Sequence, residues 1–161
     1  MTVLDVRSDL SAALDLSLQP EPDPRLVWQS NGTGGRRPVE GGWLAVPPLV
    51  SALDGDRWPW TIIESLASER VFQVLGTANE MILEVARPGE PFRMVARTGD
   101  SGSPRRMPRP CRFWIRSFLS SEAWTAAEAA AIGIAWLMSG MLDDELTLQR
   151  PYSHSGARDP R

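Results

Sequence analysis

The chain has 161 residues, of which 42% are hydrophobic and 23% charged, and a formal net charge of −3. That length and balance fit one globular domain and exclude wholesale disorder. No run approaches the ~18 consecutive apolar residues of a membrane helix, the single Cys excludes an internal disulfide framework, and the single His excludes every scheme that needs two.

In chain order, Val3–Val6 alternate weakly as a short edge strand, and from Ser8 the residues Leu10, Ala13, Leu14 and Leu18 recur at helical spacing. Three prolines within Gln19–Pro24 stop that helix and hold an extended connector. Leu26-Val27-Trp28 reads as a strand, and a Gly-rich loop over residues 30–42 follows, carrying Pro38 and Arg36-Arg37. Trp43–Val46 reads as a strand ended by Pro47-Pro48, and Leu49–Leu53 as one helical turn. Pro59–Ser68 is expected to be a short helix with Pro59 in its first turn.

Residues 71–97 have a different texture. Val71–Leu75, Met81–Ala86 and Pro91–Arg97 are strand-length runs, and Gly76–Glu80 and Arg87–Glu90 supply turn residues between them. That spacing predicts an antiparallel meander. In the last run Phe92, Met94 and Ala96 share one face and Arg93, Val95 and Arg97 the other. An Arg/Pro-rich loop over residues 99–110 leads to a fourth candidate strand, Cys111–Phe118.

A long helix is expected from an N-cap at Ser120 or Ser121, with Glu122 in its first turn, to about Ser139. Its apolar stripe is Trp124, Ala127, Ala131, Ile134, Ala135 and Met138, while Ile132 and Trp136 lie off it, so more than one side is apolar. Gly140 is the C-terminal stop. Leu142–Leu148 supplies a last strand with Leu146 and Leu148 inward, and residues 151–161 are expected to be a disordered tail. Strands grouped together, rather than alternating with helices, give an α+β class. The expected architecture is one domain over residues 1–150, an antiparallel meander sheet packed by a long C-terminal helix and one or two shorter helices.

Asp5, Arg7 and Asp9 interrupt the apolar residues of the N-terminus, so no export signal is read there and the expected compartment is the cytoplasm. All 17 basic residues are Arg, which reads as the codon usage of a GC-rich bacterial genome.

The chemistry-bearing strings are few. Thr98–Pro104, containing Gly99-Asp100-Ser101-Gly102, resembles the nucleophile segment of trypsin-like proteases. That family's base is a histidine that precedes the serine, whereas His154 follows Ser101, so the string reads as a turn. Cys111 reads as a small buried hydrophobe on a strand rather than a thiolate paired with His154. Asp54-Gly55-Asp56 is too short for a calcium loop, and Asp143-Asp144-Glu145 reads as a solvated turn. With no Lys a P-loop is excluded, and neither a metal nor a cofactor is expected.

Two imbalances point to a partner. Arg105, Arg106, Arg109, Arg112 and Arg116 fall within twelve residues, and Trp114 shares a strand face with Arg112 and Arg116. Seven Trp stand against one Tyr, and Trp58-Pro59-Trp60 is hard to bury on both sides, so an exposed member there would mark a ligand or partner groove. The expected function is a non-catalytic protein-binding module of a bacterial cytoplasmic system: a complex subunit, adaptor or immunity/inhibitor-type protein. Its partner-binding residues are Arg105, Arg106, Arg109, Arg112, Trp114, Arg116, Trp58 and Trp60. The partner is another protein with an acidic surface, or a second copy of the chain, and no membrane is involved. One alternative is a nucleic-acid-contacting accessory subunit using Arg105–Arg116, against which the net charge of −3 weighs. Another is a small hydrolase-type enzyme using carboxylate acid–base chemistry on Asp54, Asp56, Asp100, Asp143, Asp144 or Glu145.

Overall fold

Runs of Val, Ile, Leu and Phe punctuated by turn residues settle into strands, and the rest of the chain folds around them. A computed structural model describes residues 25–99, 102–106 and 117–149. The expectations for residues 1–24, 107–116 and 150–161, and for Asp100 and Ser101, lie outside the described residues. The first elements are β1 (Leu26–Ser30), β2 (Arg37–Pro38), a 3-10 turn (Gly42–Ala45) and helix α1 (Val46–Ser51). Then come β3 (Trp60–Ser65), β4 (Arg70–Thr77), β5 (Glu80–Ala86) and β6 (Arg93–Arg97). After them follow β7 (Pro104–Arg106), β8 (Ser117–Leu119), a second 3-10 turn (Ser120–Glu122), helix α2 (Ala126–Ser139) and β9 (Leu146–Gln149).

Seven strands form one antiparallel sheet in the order β2-β1-β3-β4-β5-β6-β9, and β7 pairs with β8 as a separate small sheet. This is a single α+β domain. The meander expected over residues 71–97 is β4, β5 and β6, and the last strand is β9, whose Leu146 and Leu148 pack against the core.

Register decides which side chains share a face. Ile63 lies opposite Phe72, and Phe72 opposite Val85. With Val74, Leu83 and Val95 they meet Ala129, Ala130, Trp136 and Leu137 of α2 and Val46 and Val50 of α1 in the main core. A Cβ on Gly133 would sit 2.7 Å from the Phe72 ring, so the missing side chain is what lets α2 approach the sheet. Three arginines then fix the helix ends. Arg70 and Arg87 donate to the carbonyls of Leu137 and Gly140, at 3.1 and 3.0 Å, answering the negative end of the helix dipole. Arg97 meets Glu128 at 3.1 Å near the N-terminus and lies 3.9 Å over the Trp124 ring.

The opposite face of the sheet has a smaller core at one end only. Leu75, Ile82 and Met94 are covered by Phe118 of β8, with Trp60 and Ala123 packed alongside. Both faces of β6 are therefore buried, and Met94, Val95 and Ala96 are all inaccessible.

Four expectations are corrected. Pro59–Ser68 is not a helix: it contains β3, whose Thr61, Ile63 and Ser65 are buried while Trp60, Ile62 and Glu64 are partly so. Its run of Thr and Ile is stiff at the branched carbon and favours the pleated strand. Trp43–Val46 is not a strand, because Pro47 and Pro48 occupy the first turn of α1, where their missing N–H groups cost nothing. The helix expected from Ser120 or Ser121 is only Ala126–Ser139, and its cap is Thr125, which accepts from the Glu128 N–H while the Glu128 carboxylate accepts from the Thr125 N–H. Finally, α2 buries Ala126, Ala129, Ala130, Gly133, Trp136 and Leu137, and leaves Ala127, Ala135 and Met138 exposed. Glu128 is the only charged residue in this helix, so spacing alone does not distinguish its faces, whereas the fit of Gly133 to Phe72 does.

Candidate binding surface

The exposed indole anticipated in Trp58-Pro59-Trp60 is Trp58, and its position follows from local hydrogen bonding. Asp54 accepts from the Asp56 N–H at 2.9 Å and the Trp58 N–H at 2.8 Å, closing a tight Asx-type turn. Those two donors, Trp58's first, hold the Asp54 carboxyl below its usual range. The turn is tied to the sheet by the Ala78 N–H bond to the Leu53 carbonyl, and to the β1–β2 loop by Asn31, whose amide donates to the Arg57 carbonyl. Within that loop Thr33 is buried, and its hydroxyl lies 2.9 Å from the carbonyls of Ser30 and Gly35. A Gly-rich segment is thereby held in one arrangement beside β1.

Trp58 then stacks on Trp28 of β1, with ring centroids 6.4 Å apart and planes 25° from parallel. Trp58 is 37% exposed, while Trp28 packs partly against the main core. Trp28 lines a groove on each side of itself. One, of about 520 Å³, runs toward α1 and is lined by Pro38, Val39, Ala45, Pro48 and Leu49, with Arg37 and Glu40 beside them. The other, of about 320 Å³, lies on the open half of the sheet's second face. Its floor includes Val27, Ile62, Val71 and Ala86, and Arg36, Glu64, Glu69, Arg87 and Glu90 contribute charges. Arg36 pairs with Glu64 across it at 3.1 Å. Trp28, with Trp58 stacked on it, lies between an apolar groove and a mixed-charge groove, a composition like that of a protein-contact surface, where an aromatic anchor sits among polar groups.

The remaining candidates are dispersed. Trp60, one residue beyond Pro59, faces the other way and packs against the second core. Arg105 meets Glu80 at 3.0 Å with both side chains largely in solvent, a pairing worth little. Arg106 lies on β7 opposite Ser117. Arg109, Arg112, Trp114 and Arg116 lie outside the described residues, as do Asp100, Cys111 and His154. Asp56, Asp143, Asp144 and Glu145 are exposed. Among the described residues no three His, Cys, Asp or Glu side chains come together to hold a metal ion, and no helix is long and apolar enough to cross a membrane.

One group escaped the sequence reading. Glu122, expected as an anion in the first turn of a helix, is fully buried in the 3-10 turn between β8 and α2. One carboxylate oxygen accepts from the Leu119 N–H at 2.6 Å, while the other, like the neighbouring Ser121 hydroxyl, has no hydrogen-bond partner among the described residues. Burial pushes its carboxyl up from the ordinary value, and the Leu119 bond offsets part of that rise. The only sequence signal was a charged residue between Ser121 and Ala123, which does not reveal depth.

No protein-family model, curated protein or solved structure matches this chain.

Proposed function

We propose that the chain is a non-catalytic protein-binding module whose partner docks over the β1–β2 edge, with Trp58 as the central anchor. The observation that carries this is the Trp28–Trp58 stack: its outer ring, partly exposed, is held in place by a hydrogen-bonded turn, and Trp28 lines two grooves. Ordering an indole by stacking removes its freedom before a partner arrives, so less entropy is lost on binding. The charges beside these grooves are mixed, Arg36 pairing with Glu64 and Arg37 donating to the Thr33 carbonyl among Glu40, Glu69 and Glu90, so a partner surface of mixed charge fits them. The cytoplasm is the proposed compartment, because one Cys leaves no internal disulfide that needs an oxidising one.

Quantitative capture from the source cell extract with the immobilised full chain tests this reading. Trp58→Ala is expected to lower recovery of a specific partner about tenfold or more, the effect of losing a hot-spot aromatic. Arg105→Ala, which among the described residues removes the exposed pair with Glu80, is expected to leave recovery unchanged. Equal recovery by wild type and Trp58→Ala contradicts the proposal.

A further inference from the structure

We draw no further inference here: the strongest candidate, the outer apolar face of α2 from Ala127 to Met138 with the exposed Met141 beyond it, carries nothing because the structure does not show what covers it.

Discussion

The centre of the sheet and its β1–β2 edge use the same kinds of residue to opposite ends. At the centre, Phe72, Ile63 and Leu83 are wholly inaccessible, and α2 comes so close that residue 133 has no room for a Cβ. At the edge, Trp28 is only partly covered and Trp58 only partly enclosed, and Trp28 lines two grooves. Apolar area at the centre is spent on folding. At the edge it is held in place by turn chemistry around Asp54 and Thr33 without being closed over. The difference lies in what covers each region: α2 lies over β4 and β5, whereas β2 is only two residues long and ends in Pro38.

Substitutions at the two regions break or sharpen this contrast, and urea unfolding followed by circular dichroism reads the stability effects. Phe72→Ala is expected to cost about 3–5 kcal/mol, because the cavity lies where nothing can collapse into it. A loss below about 1 kcal/mol would mean the centre is not closely packed. Gly133→Val, which forces branched carbons into the Phe72 ring, is expected to cost about 1–3 kcal/mol by overpacking. A neutral result would remove the close approach as the reason α2 turns this face to the sheet. Trp58→Ala is expected to cost about 1–2 kcal/mol, from the lost stacking and the part of the indole that is covered, and well below the cost of Phe72→Ala. A large loss there would make Trp58 a folding residue and dissolve the contrast. Thr125→Ala, which deletes the N-cap of α2, is expected to cost about 1 kcal/mol.

The smallest effect concerns pH. The native carboxyl of Glu122 holds its proton above the ordinary value of 4.5, so the folded state binds that proton more tightly than the unfolded chain. The stability tied to it is fully present below the unfolded value and is lost as pH rises through the folded one. Glu122→Gln keeps an acceptor for the Leu119 N–H and removes the titration. The decline expected of the wild type as pH rises should therefore flatten in the variant. Parallel pH profiles would show that the carboxyl does not carry it.

Much of the fold was legible because local chemistry agreed with the tertiary outcome. Gly76–Glu80 and Arg87–Glu90 separate β-forming runs, so the meander could be placed before any contact was known. Gly140 was readable as the helix stop and adopts the left-handed conformation expected there, with φ 69°. The misreadings arose where one local signal serves two structures. Prolines end a strand or begin a helix, and Pro47-Pro48 does the second. An Ala-rich helix satisfies 3.6-residue spacing on either side, and only Gly133 meeting Phe72 distinguishes them. The surface was half legible: a turn followed by Trp-Pro-Trp suggested an exposed indole. Its stacking on Trp28, thirty residues earlier, depends on pairing between β1 and β3 that no local pattern reports.

The central claim is that Trp58 is held open for a partner while Trp60 belongs to the fold. Hydroxyl-radical footprinting of the full chain, alone and in its native complex, with mass-spectrometric readout at each indole, tests it most directly. Trp58 is expected to oxidise readily in the free chain and to be protected several-fold in the complex, while Trp60 reacts slowly in both. Trp58 oxidation that is unchanged by complex formation, with protection elsewhere on the surface, would contradict it.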